Sequence, residues 1–290
     1  MDIEALIGRF AARLDAAKVA YGHGTDNARD EAYRLVMGGL RGQPLTAGSR
    51  AALEALLEQR IRARVPVPYL TGEAWLAGVR FDVPPGVMIP RSPIAAVLAA
   101  GVAPWLADEP GRVLDLCCGT GALGILAARA FPGARVDLAD DDARAIGAAA
   151  INIERAGIGD RAELLKSSLF DGLAGRRYDL IVCNPPYVPT AELAAAPAEF
   201  DHEPRHGLDG GSDGLAVWRR VVARLDDFLE PGGVLLGETG NLSGAFDAAF
   251  PHLRAVWLAV DGAERQAGGD FGVFVAAGAL AGPARRRERL

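Results

Sequence analysis

The sequence predicts an α/β fold built on a mainly parallel sheet, and three observations carry that prediction. From about residue 112 onward, short apolar runs alternate with stretches of helical spacing, the pattern of consecutive βαβ units. One of those runs, Val113-Leu114-Asp115-Leu116, leads directly into a glycine-rich turn, Cys117-Cys118-Gly119-Thr120-Gly121. Glycines at such a junction let a ligand approach the backbone, and the helix that follows offers free N–H groups. Half of the 290 residues are hydrophobic, which suits a sizeable core.

Taken in order, the chain opens with apolar residues at Ile3, Leu6, Ile7, Phe10 and Leu14, a helical period over 3–19. Tyr21-Gly22-His23-Gly24-Thr25-Asp26-Asn27 reads as a loop leading into an N-cap, with His23 as a capping or packing residue. Two more helices are expected, over 31–40 and 49–65. Residues 1–65 therefore form a helical domain, which either packs or docks a substrate. Residues 66–93 read as a β-hairpin linker, with strand signals at Trp75, Val79, Phe81, Val83, Val87 and Ile89 and a turn at Pro84-Pro85-Gly86. The main domain spans 94–280. It begins with a helix over 94–100, and strands are expected at 112–117, 135–139, 162–166, 178–183, 233–238 and 271–277. Helices are expected at 121–130, 142–156 and 214–229. Residues 281–290 are a basic tail, read as frayed.

Composition removes several classes of function. A formal net charge of −6 argues against a protein that coats nucleic acid. No apolar run reaches the roughly 18–20 residues of a membrane span, and Met1-Asp2-Ile3-Glu4 does not begin a signal peptide. Cys117, Cys118 and Cys183 make neither a disulfide framework nor a zinc spacing, so a cytoplasmic protein is expected. His202-Glu203-Pro204-Arg205-His206 matches a zinc-protease string. Pro204 and Gly207 oppose the helix that chemistry needs, so no metal is expected.

The motifs that remain concern a cofactor and an amide. Gly119, Gly121 and Gly124 fit the dinucleotide pattern, and an acid follows about 20 residues later at Asp140, beside Asp141, where ribose hydroxyls are bound. NAD therefore stays open on this motif alone. Asp115, inside the strand, instead suits a ligand with a cationic amino group, such as S-adenosylmethionine. The run Tyr178–Cys183 then stops at Asn184-Pro185-Pro186-Tyr187. Neither helix nor ladder runs through two prolines, and each proline holds the preceding residue extended. The result is a stiff elbow that presents the Asn184 amide and backbone carbonyls, acceptors suited to an N–H-bearing guest. A proline turn that merely closes a strand is the alternative. The loop 188–213 reads either as a cover near the substrate or as a long surface loop.

The glycine turn and the elbow together resemble the S-adenosylmethionine-dependent methyltransferases of amino groups, with a Rossmann-like domain. The motifs Tyr21–Asn27, Pro68-Tyr69-Leu70-Thr71, Pro90-Arg91-Ser92-Pro93-Ile94, His202-Glu203-Pro204 and Gly211-Ser212-Asp213-Gly214-Leu215 narrow the match. They are similar to the bacterial N5-glutamine methyltransferases of large-subunit ribosomal protein L-three, over about residues 8–278. Ser92-Pro93-Ile94 and the glycine–histidine loop favour that family over the release-factor glutamine methyltransferases, the alternative. Adenine-N6 DNA methyltransferases are more distant, and no direct DNA binding is expected without a basic recognition region. An assembly factor that binds the cofactor without turnover is opposed by the intact elbow.

The resemblance implies that Asp115, Cys117, Gly119, Thr120, Gly121, Asp140, Asp141, Ser168, Leu169 and Asn184 border S-adenosylmethionine. It also implies that Asn184, Pro185, Pro186 and Tyr187 form the catalytic elbow. Asn184 and the Pro185 carbonyl would accept the two N–H groups of a glutamine amide, and Tyr187 would pack against the amide or the methyl path. The chain departs from the pattern at Cys117, where many relatives have glycine, and at Ser168, where an aspartate is usual near the adenine.

Overall fold

The computed structural model describes residues 2–102, 105–259 and 272–277. The described chain divides into two compact units. One holds the residues up to Arg91 together with Ala195–Arg205. The other holds Ser92–Ala194 and the described residues from His206 onward. The basic tail and residue 271 of the last expected strand lie outside the described residues.

In the first unit, helices α1 (Ile3–Ala16), α2 (Ala28–Leu40) and α3 (Ala47–Arg62) each start at a side-chain cap. The Asp2 carboxylate accepts the Ala5 N–H, and Asn27 accepts the Asp30 N–H, as the sequence loop anticipates. Thr46 and Ser49 form a reciprocal capping box. α2 and α3 therefore start earlier than periodicity alone suggests, because the cap residue sets the first turn. Their apolar faces close a core of Leu6, Phe10, Leu14, Leu35, Leu53 and Leu57.

A short helix, α4 (Val67–Thr71), precedes the hairpin of β1 (Glu73–Leu76) and β2 (Val79–Asp82). α4 is not expected from the sequence, which reads 66–93 as a β-hairpin linker. A proline in the first turn, however, gives up only an N–H that has no partner there. The hairpin turn is at Ala77-Gly78, not at Pro84-Pro85-Gly86. Both turn residues are left-handed, at φ 47° and 74°, the backbone that matches strand twist. Val83, Val87 and Ile89 are buried but form no strand.

Residues 195–205 enter this unit through two buried carboxylates. Glu199 accepts the Ala20 N–H at 2.9 Å and Arg60 Nη1 at 3.0 Å, while Arg60 Nε pairs with Glu31. Glu203 accepts Arg91 Nη1 at 2.7 Å and the Ile89 N–H at 3.1 Å. Burial pushes the Glu203 carboxyl up, but the Arg91 guanidinium outweighs it and holds the pKa at about 2. His23 is buried against Phe200, ring centroids 4.6 Å apart, with Nε2 3.6 Å from Glu203. The two residues of the zinc-like string go separate ways: His202 meets the Ala63 carbonyl, and His206 meets Asp142.

Arg60, Glu31 and Glu199 are each at most 3% exposed. Replacing Arg60 by alanine strands two carboxylates in a low dielectric. Arg60→Ala is expected to lower unfolding free energy by about 3–5 kcal/mol in urea titrations.

The second unit starts with α5 (Ile94–Ala100) and then runs β3 (Arg112–Leu116), α6 (Ala122–Ala130), β4 (Arg135–Asp140), α7 (Ala143–Ala156), β5 (Ala162–Lys166) and β6 (Tyr178–Cys183). After α8 (Thr190–Leu193), α9 (Ala216–Val222) and α10 (Leu225–Phe228) come β7 (Leu229–Glu238), α11 (Ser243–Ala249), β8 (Val256–Trp257) and β9 (Val273–Ala277). Among the described residues the seven-stranded sheet has the order β5-β4-β3-β6-β7-β9-β8, and β9 runs opposite to the other six strands. β3 lies between β4 and β6, so the connections leave it in opposite directions and open a crevice at the carboxyl ends.

The single helix expected over 214–229 is two short ones. Gly214 is left-handed at φ 75°, which delays the start, and Arg224 at φ −124°, ψ 0° breaks the middle. β7 begins four residues earlier than expected, because Pro231-Gly232-Gly233 runs as an irregular strand. A Cβ on Gly233 would sit 2.8 Å from the Tyr178 carbonyl of β6.

Candidate active site

The residues singled out in the sequence lie across the carboxyl ends of four neighbouring parallel strands. Asp115 to Gly121 end β3, Asp140 ends β4, Ser168 and Leu169 follow β5, and Asn184 to Tyr187 follow β6. Leu116 is in register with Cys183, so Cys117 and Asn184 leave the sheet side by side.

The glycine turn is held from below. Cys118 N–H reaches the Ala139 carbonyl at 3.0 Å, Gly119 N–H reaches Asp140 Oδ2 at 2.9 Å, and Gly121 N–H reaches the Cys118 carbonyl at 2.7 Å. Cys117, Gly119 and Gly121 are all left-handed, at φ 62°, 53° and 77°. Cys117 thus adopts a backbone conformation that favours glycine. Gly124 is a glycine for a different reason: a Cβ there would sit 2.6 Å from Leu138 and 3.1 Å from the Asp115 Cβ. Thr120 is buried, and its carbonyl accepts the Asn152 amide at 3.0 Å.

Asp115 is 1% exposed, between Leu138 of β4 and Val182 of β6. It accepts the Gly124 N–H at 2.7 Å. Burial pushes its pKa up to about 7, and the nearby Asp140 charge adds to this against the Gly124 hydrogen bond. The Asp140 pKa is also raised by burial, against the N–H groups of Asp142 and Gly119. Two desolvated carboxylates beside one turn are a poor host for a pyrophosphate and a good one for a cationic amino group. This separates the alternatives left open by the glycine pattern, in favour of S-adenosylmethionine over NAD.

Asp140 also spends hydrogen bonds on the protein, since its two oxygens accept the Gly119 and Asp142 N–H groups. Each oxygen keeps a second lone pair. Asp141 is exposed beside it. Ser168 accepts Arg220 Nη2 at 2.9 Å, and Leu169 is left-handed at φ 53°. The Cys118 and Cys183 thiols are raised by burial, which keeps them protonated and inert.

At the elbow, Pro185 is buried and Asn184 half-buried. Among the described residues no hydrogen bond takes the Asn184 side chain, so its oxygen is available to a guest. Tyr187 is framed by residues that sequence reading did not assign to the site. Its hydroxyl donates to Glu238 Oε1 at 2.7 Å. A Cβ on Gly240 would lie 2.8 Å from its ring, and one on Gly210 would lie 2.7 Å from its Cα. A Cβ on Gly214 would collide with its carbonyl. Val188 and Gly210 exchange hydrogen bonds with the returning chain through Leu208 O and Val188 O, at 2.9 and 2.8 Å. The run Gly210-Gly211-Ser212-Asp213-Gly214 was the available signal, since glycines this dense mark a close backbone approach.

The family described as the methyltransferase small domain matches residues 102–220. The chain is similar to the ribosomal protein uL3 glutamine methyltransferase of Bordetella pertussis, 46% identical over 265 residues, or 87% of this chain and 89% of that one. It is 40% identical to the Burkholderia pseudomallei protein of the same name over 272 residues, 87% and 89% of the two chains. It is 38% identical to that of Neisseria gonorrhoeae over 269 residues, 88% and 90%.

Proposed function

We propose, for a chain that belongs to the family of ribosomal protein uL3 glutamine methyltransferases, that it transfers a methyl group to the side-chain nitrogen of a glutamine in uL3. The observation that carries this reading is the side-by-side ending of β3 and β6, which sets a buried carboxylate and a glycine turn next to an amide-accepting elbow. S-adenosylmethionine supplies, when bound, an electrophilic methyl group on a positively charged sulfur.

The donor set at these strand ends fits that group. Asp115 receives its amino cation, and the turn Cys117–Gly121 admits it close to the backbone. Asp140 and Asp141 take the ribose, with Ser168 and Leu169 on the adenine side. Asn184 Oδ1 and the Pro185 carbonyl accept the two N–H groups of the glutamine amide. That aims a weakly nucleophilic nitrogen, whose lone pair is delocalised, along one line. Orientation of this kind supplies on the order of 7–11 kcal/mol in favourable cases. The same two oxygens face the nitrogen as it becomes positive, and fixed dipoles stabilise that charge. The N–H proton leaves to water after the carbon–nitrogen bond has formed and the methyl–sulfur bond has broken, its electron pair staying on sulfur, so no strong base is required beforehand.

Among the described residues no helix is long and apolar enough to cross a membrane. A ribosomal-protein substrate supports a cytoplasmic site for the reaction. Incubation with methyl-labelled cofactor and, separately, purified uL3 and a purified release factor tests the reading. Label on uL3 is expected. Label on release factor alone overturns it. Repeating the uL3 arm with large-subunit assembly intermediates identifies which form is methylated.

A further inference from the structure

Glu238 is the last residue of β7, and only 4% of it is exposed. Gly237 is in register with Cys183, so Glu238 leaves the sheet at the level of Asn184 on the neighbouring strand. Its two carboxylate oxygens serve two motifs. Oε1 accepts the Tyr187 hydroxyl at 2.7 Å, and Oε2 accepts the Ser92 hydroxyl. Ser92 Oγ in turn accepts the Ile94 N–H at 3.2 Å at the start of α5. One buried carboxylate therefore ties the elbow to Ser92, just before α5.

The tie acts on a ring that has little other freedom. Gly240, left-handed at φ 54°, lies beneath the Tyr187 ring, and a Cβ there would meet Cε2 at 2.8 Å. Gly210 and Gly214 pack closely against the Tyr187 backbone. The hydroxyl is the far end of the ring and is fixed by its 2.7 Å hydrogen bond to Glu238.

We propose that Glu238 is a positioning residue for methyl transfer, holding Tyr187 through its hydroxyl so that the wall of the elbow is set before the amide arrives. This rests on the proposed function, because it assigns a task to the same elbow. A loosened ring lets the amide wander from the line of transfer. Displacements of about 1 Å cost on the order of a hundredfold in rate. The loss falls on kcat, since Glu238 belongs to the elbow and not to the glycine turn.

The test measures kcat, KM for uL3 and cofactor Kd for Glu238→Ala, Tyr187→Phe, the double variant and Glu238→Gln. Glu238→Ala and Tyr187→Phe are each expected to lower kcat by about tenfold or more, with cofactor Kd within about twofold of wild type. The double variant falls no further than the worse single, because both remove the same contact. Glu238→Gln recovers most of kcat, since its amide oxygen still accepts the hydroxyl. Tyr187→Phe with wild-type kcat overturns the role even if Glu238→Ala does not fold. So does a double variant whose loss is the product of the singles. Wild-type protein that transfers no label overturns the proposed function and this role with it. Wild-type turnover with an unaffected Glu238→Ala overturns the role alone.

Discussion

Asn184→Ala is expected to abolish methyl transfer, with kcat reduced by on the order of a thousandfold or more, while cofactor affinity stays near wild type. The substitution removes the side-chain acceptor at the end of β6 and leaves the backbone of the elbow intact. Pro185 and Pro186 set that backbone by their own rings. An amide nitrogen that keeps only one of its two partners rotates about the remaining hydrogen bond and loses the dipole that faces its developing charge. Asp115 and the glycine turn are untouched, so calorimetric titration of cofactor should show little change. Single-turnover transfer to uL3 at saturating cofactor gives the decisive reading. Normal turnover in Asn184→Ala would mean that the elbow only closes the strand.

Asp115→Asn is expected to weaken cofactor binding by on the order of a hundredfold, through loss of a buried charged contact. It should also remove a pH dependence. The Asp115 pKa of the free protein is raised by burial to about 7. Only the ionised form attracts an amino cation, so wild-type affinity climbs as pH rises toward 7 and levels off above it. Below that value each pH unit costs about tenfold. Stability moves the other way. A folded pKa above the unfolded value of 3.8 means that the native state holds the proton longer. The stability tied to that proton is fully present below the unfolded pKa of 3.8 and is lost progressively as pH rises to about 7. Without cofactor, the melting temperature of Asp115→Asn relative to wild type should therefore climb from acid pH to about pH 7 and level off above it. Wild-type affinity that is flat between pH 5 and pH 8 would refute this account.

Much of the site is legible before any coordinates. Asn184-Pro185-Pro186-Tyr187 announces itself because proline fixes φ and lacks an N–H, properties that do not depend on surroundings. Asp115 and the glycine turn are equally local, because left-handed backbone at residues 117–121 favours glycine and α6 starts directly behind it. The strand and helix alternation follows from apolar spacing. The errors arise where a local signal has two meanings. Proline at 66 and 68 is a breaker in the middle of a helix but is accepted in the first turn of α4. Pro231-Gly232-Gly233 resembles a turn but runs in β7, where the neighbouring strand leaves no room for a side chain at 233.

Glu238 was not legible at all. Nothing in Gly237-Glu238-Thr239-Gly240 says that this carboxylate meets Tyr187, 51 residues earlier, or Ser92, 146 residues earlier. The same holds for Arg60 and Glu199, which are 139 residues apart. By itself the sequence determined most of the main-domain elements, the glycine turn and the proline elbow, because each depends on backbone preferences within a few residues. The tertiary structure alone decided which carboxylates are buried, which cation or hydroxyl answers each of them, and how far Asp115 is pushed from its ordinary pKa. Those depend on distance and desolvation, and both are set by chain brought together across the sheet.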